Sequence, residues 1–77
     1  MVVYHVCSSN KLRKYVEAGG ISPPVRAWEN VEQAERFSKS TGRRIILRLK
    51  FPNDAQKLAG HFGQARVLHQ KLPLGSF

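Results

Sequence analysis

The clearest alternation of apolar and polar positions in the chain lies at residues 43–51 (RRIILRLKF), where Ile45, Leu47, Leu49 and Phe51 interleave with Arg44, Ile46, Arg48 and Lys50. Side chains of a strand point to opposite faces with a period of two, so this spacing predicts a strand with one apolar face. The other face carries three cations and a single Ile. Such a strand lays one side on a core and turns the other to solvent or to an anionic ligand, and its expected place is central or near-central in a sheet.

The remaining elements follow from the same reading. Residues 2–7 (VVYHVC) are β-branched and aromatic, which predicts a strand with Val2, Tyr4 and Val6 on one face and Val3, His5 and Cys7 on the other. Ser8 or Ser9 can cap a helix over residues 10–18, with Leu12, Tyr15 and Val16 as its apolar stripe and Gly19 as its stop. The run GGISPP cannot continue a helix, because Pro fixes φ and pushes the preceding residue toward extended geometry. Residues 25–28 (VRAW) are then a short extended segment. Asn30 opens a second helix with Gln33 completing a capping-box pattern, Val31, Ala34 and Phe37 forming the buried stripe and Gly42 ending it. Beyond the cationic strand, Pro52 and Asn53 break the pattern and residues 54–59 hold at most two helical turns. GHFG (60–63) reads as a loop with two permissive glycines, and residues 64–70 (QARVLHQ) as a last strand before Pro73. The order is β-α-β-α-β-α-β, an α+β class.

Length and charge narrow the function. Seventy-seven residues make one small domain, residues 1–77, which buries only about 60% of its unfolded surface. An apolar content of 42% suffices for a folded core. Thirteen Lys and Arg against five Asp and Glu give a net charge of +8, which favours polyanionic partners: nucleic acid, nucleotide phosphates or an anionic membrane surface. Cys7 is the single cysteine, so no internal disulfide forms, and a reducing, cytoplasmic setting is expected. On a strand it reads as a small core residue. No apolar stretch nears the length of about 18 residues that a membrane span needs, and no signal-peptide pattern opens the chain.

Several side chains are candidates for chemistry. His5 lies toward the end of its strand, just before Ser8 and Ser9, where an imidazole can meet a ligand or serve as a hydrogen-bonded structural residue. His61 and His69 lack metal-ligand spacing with each other or with Cys7, so no metal site is expected. Arg26 and Trp28 can sandwich a base, the alternative being that Trp28 belongs to the core. Arg43, Arg44, Arg48, Lys50 and Arg66 are the candidate phosphate-binding cations; the planar guanidinium donates bidentately to phosphate and stays charged. Glu29, Glu32 and Glu35 cluster around one helix, which gives no carboxylate pair for acid–base work.

Taken together, YHVCSSNKLRKYVEAGGI, PPVRAWENVEQAERFSK, RRIILRLKFPNDA and GQARVLHQKLP resemble the compact ADP-ribosyltransferase-like domains, including their RNA 2'-phosphotransferase branch, along nearly the whole chain. The resemblance implies a split, mostly antiparallel sheet with two packed helices, gripping NAD in a cleft. In it His5 matches the first-strand His that holds the nicotinamide ribose, and Ser8, Arg26 and Trp28 join it around the cofactor. The chain departs from the family after that His, where Val6 and Cys7 stand for the usual Gly and Ser or Thr. Its last strand offers Gln64 and Gln70 where transferases carry a Glu that stabilises an oxocarbenium-like centre. The phosphotransferase branch relies on Arg and His instead, which leaves catalysis open. The implied function is a minimal domain that binds NAD, ADP-ribose or phosphorylated nucleic acid. The alternative is a non-catalytic basic module that binds nucleic acid or a partner protein.

Overall fold

The computed structural model describes residues 1–61 and 64–76. Strand β1 (Val2–Cys7) leads into helix α1 (Ser9–Ala18), then β2 (Gly20–Ile21), β3 (Val25–Trp28), helix α2 (Val31–Thr41), β4 (Ile45–Lys50), β5 (Gln56–Lys57), β6 (Ala65–Leu68), β7 (Leu72–Pro73) and a final 3-10 turn at Leu74–Ser76. Five strands form one sheet in the order β4-β1-β3-β6-β5, and β2 pairs with β7 in a second, two-stranded sheet. Every pairing is antiparallel. The α+β class with two helices and a mostly antiparallel sheet is therefore the observed one.

Local chemistry sets the helix ends where the sequence places them. Ser8 is the N-cap of α1, its hydroxyl accepting the Lys11 amide at 3.2 Å, and Gly19 closes the helix at φ 76° in the left-handed region that glycine enters without strain. Asn30 caps α2 through the Glu32 amide at 2.7 Å, one residue short of the expected Gln33 partner. Ala34 is the one fully buried residue of α2, while Val31 is exposed at 39%. Helix α1 buries no residue at all, and Val16, expected in its stripe, is 57% exposed.

The main buried cluster sits on one face of the sheet. Val3, Val25, Ala27, Leu49, Phe51 and Ala55 pack there against Ile21 and Leu72 from the small β2–β7 sheet, with Tyr15 and Leu47 at the margin. The cationic strand behaves as expected by face: Leu49 and Phe51 are buried, and Arg44, Arg48 and Lys50 are exposed. Its position is different. Strand β4 is an edge strand, not a central one, and Ile45 and Leu47 are only half-buried as a result. The central strand is β3, the short VRAW segment, because β1 and β6 flank it on either side.

The expected helical turns at 54–59 are absent. Gln56 and Lys57 instead pair with Val67 and Arg66, and the Ala55 carbonyl that a helix would use accepts from the Arg66 guanidinium at 2.7 Å. Between Pro52 and Gly60 there is too little chain to offset the cost of nucleating a helix. The last expected strand contracts from residues 64–70 to Ala65–Leu68. Phe62 and Gly63 of the expected loop lie outside the described residues.

Candidate functional site

Strands β1 and β4 pair along all six residues of β1, whereas β1 and β3 meet only at Tyr4 and Trp28. Beyond that pair the sheet splits, and His5 stands in the gap. Its Nδ1 lies 2.6 Å from the Arg26 carbonyl oxygen of β3, and its Nε2 lies 3.0 Å from the Tyr15 hydroxyl of α1. A carbonyl can only accept, so Nδ1 carries the hydrogen; in a neutral ring Nε2 then accepts from the Tyr15 O–H. Burial pushes the imidazole below its ordinary range, the bond to the Arg26 carbonyl opposes this, and the charge of Arg43 adds to the depression. His5 is thus a neutral ring with both nitrogens engaged, bridging the two strands and the first helix.

Two clefts meet at this histidine. The first, about 470 Å³, is lined by His5 together with Arg26, Trp28, Phe37, Arg43 and His61. The second, about 430 Å³, is lined by His5, Lys11, Lys14, Tyr15 and the turn that follows Gly20. Lys11 and Pro24 border both. In the first cleft the Trp28 ring meets the His61 ring edge-on at 5.2 Å and tilts against Phe37 at 6.1 Å, and the Arg43 guanidinium lies 5.9 Å from the Phe37 centroid. Trp28 is half-buried, packed against Phe37 of α2 while lining the cleft. Aromatic rings and cations side by side suit a base or ring next to a phosphate. Both volumes fall in the range of about 300–1,000 Å³ usual for small-ligand sites.

Among the described residues no carboxylate lines either cleft. The one ion pair among them, Arg66 with Glu29 at 3.2 Å, lies elsewhere. Arg66 stands apart from the clefts: it is buried, its Nε and one terminal nitrogen donate to Glu29 and the other to the Ala55 carbonyl, so three of its five N–H donors are engaged within the fold, and it lines neither cleft. Ser8 caps α1, its hydroxyl accepting from the Lys11 amide, and lines neither cleft. Arg44, Arg48 and Lys50 are exposed on or beside the edge strand and also line neither. His5, Arg26, Trp28 and Arg43 do converge.

Tyr15, Lys11, Phe37 and His61 belong to the site and were not legible as such. Tyr15 has the spacing of a core stripe residue, yet its hydroxyl meets His5 Nε2 at 3.0 Å, the two ring centroids 5.7 Å apart. Burial raises the Tyr15 hydroxyl above the usual phenol range, with the nearby Cys7 adding and Arg43 opposing, so at neutral pH it keeps its proton to donate. Cys7 is buried and its thiol is likewise pushed up by burial, which keeps it protonated as a core residue. His69 is held by Gln56 at 3.0 Å, away from the clefts. Among the described residues no group of three or more His, Cys, Asp or Glu comes together in a metal-binding arrangement, and no helix is long and apolar enough to cross a membrane.

Compared with protein-family models, curated proteins and solved structures, the chain has no significant match in any of the three.

Proposed function

We propose that this domain is a minimal ADP-ribosyltransferase-like module whose split sheet binds NAD or ADP-ribose. The observation that carries the reading is the opening between β1 and β3 with His5 fixed inside it by Arg26 and Tyr15. The donor set fits such a ligand: Lys11, Arg26 and Arg43 offer positive charge to a pyrophosphate, and Trp28 and Phe37 offer ring surface to a base. His5, with Nδ1 fixed as donor, presents Nε2 toward a ribose hydroxyl that would take the place of the Tyr15 O–H. With no carboxylate among the described lining residues, nothing there stabilises a developing oxocarbenium charge, so the reading is one of binding. A phosphorylated nucleic-acid end is the second ligand class, favoured by Lys11 and Lys14 in the adjoining cleft.

The test uses Trp28, the chain's single tryptophan. Titration with NAD and with ADP-ribose is expected to quench or shift its emission saturably, and His5→Ala to abolish that response while the far-ultraviolet dichroism stays native. A Trp28 signal that neither nucleotide moves, or one that His5→Ala leaves intact, rejects the reading.

A further inference from the structure

The two edges of the main sheet are built differently. On one side the sheet ends in β5, only two residues long, a short edge of the kind that blunts strand addition. On the other it ends in β4, six residues in unbroken register with β1 from Ile45 to Lys50, with neither a bulge nor a proline inside it. Its first three residues, Ile45, Ile46 and Leu47, are apolar and each only half-buried, although a core face lies directly beneath two of them. Among the described residues no strand pairs with the outer side of β4. A regular edge with apolar side chains left partly uncovered on both faces is suited to receiving another strand.

The charges say what kind. Arg48 and Lys50 are exposed on the face that β4 shares with Ile46, and Arg44 precedes it, also exposed. A strand laid beside β4 sets its alternate side chains next to those cations on one face, and next to Ile45, Leu47 and Leu49 on the other. A second copy of this chain brings +8 against +8 and is opposed by charge. The geometry points to a partner protein that adds an extended segment to β4, alternating acidic and apolar residues with a period of two. This site is separate from the nucleotide cleft and does not depend on it, since Arg48 and Lys50 line neither cleft.

Two synthetic peptides of identical composition test this, one alternating Glu and Val, the other with Glu and Val in separate blocks. The alternating peptide is expected to shift the backbone amides of residues 45–50 and slow their hydrogen exchange, with affinity falling as salt rises. The block peptide is expected to bind at least tenfold more weakly. The double variant Arg48→Glu/Lys50→Glu should lose the Glu–Val peptide and gain an alternating Lys–Val one, while its Trp28 response to ADP-ribose stays that of the parent chain. Equal binding of the two Glu–Val peptides, amide shifts that avoid residues 45–50, or concentration-dependent dimerisation through β4 would each overturn the proposal.

Discussion

Removing the Tyr15 hydroxyl leaves His5 Nε2 in the gap of the sheet without its donor. A hydrogen bond of this kind contributes about 1 kcal/mol net, and for a domain of this size that is a fall in melting temperature of roughly 4–8 °C. Tyr15→Phe should show such a fall by calorimetry; an unchanged melting point would mean that water replaces the hydroxyl at no loss. The same histidine gives a pH dependence. Its folded form is held below the ordinary value of 6.5, chiefly by burial, so the unfolded chain takes up a proton first as pH falls. The stability contributed by the neutral ring is therefore complete above about 6.5 and lost progressively below it, toward the lower folded value. Urea unfolding between about pH 7 and pH 5 should lose more stability in the parent than in His5→Gln; parallel slopes would remove His5 as the cause. Arg66 is a different case. Truncating it strands the Glu29 carboxylate and the Ala55 carbonyl. Arg66→Ala should destabilise by roughly 2–3 kcal/mol, less than the 3–5 of a fully buried pair because Glu29 keeps some water contact.

At the scale of elements, the small β2–β7 sheet closes at Gly20. A Cβ there would run into the Leu72 carbonyl and lie 3.0 Å from the Pro73 Cα, so the close approach of β2 to β7 needs a glycine. Gly20→Ala is expected to cost about 1–3 kcal/mol by overpacking and to loosen Ile21 and Leu72 from the core, visible as faster amide exchange at both; unchanged exchange would show that the backbone yields freely. Both helices and the longer strands β1, β3, β4 and β6 were legible because their signals are local: period-two alternation, Ser8 and Asn30 as caps, Gly19 and Gly42 as stops. What was not legible depends on non-local pairing. Nothing in RRIILRLKF says whether a strand has one neighbour or two, so β4 read as central or near-central although it lies at the edge. Gln56 and Lys57 become a strand only because β6 reaches them, and the two-residue β2–β7 pair exists only through contacts about fifty residues apart in sequence. The site divides likewise: His5, Arg26, Trp28 and Arg43 carry their chemistry in their residue types, whereas Tyr15 and Phe37 acquire theirs from where α1 and α2 settle.

For the molecule as a whole, charge is the dominant long-range term. The fold measures 33 × 28 × 17 Å and carries +8 with one ion pair among its described residues. At 0.01 M ionic strength the Debye length is about 30 Å, so cations on opposite sides of the fold repel one another; at 0.1 M it is about 10 Å and only neighbours do. Unfolding separates these charges and relieves the repulsion, so low salt favours the unfolded chain. Screening weakens the Arg66–Glu29 attraction far less, because Arg66 is buried. The melting temperature should therefore rise as sodium chloride is raised between those two ionic strengths, and most of the rise should occur before 0.1 M. Arg48→Glu lowers the net charge by two at an exposed position outside both clefts, and should raise the low-salt melting temperature while flattening its salt dependence. A melting temperature that falls with added salt would show that local attractions such as Arg66–Glu29 outweigh the net repulsion.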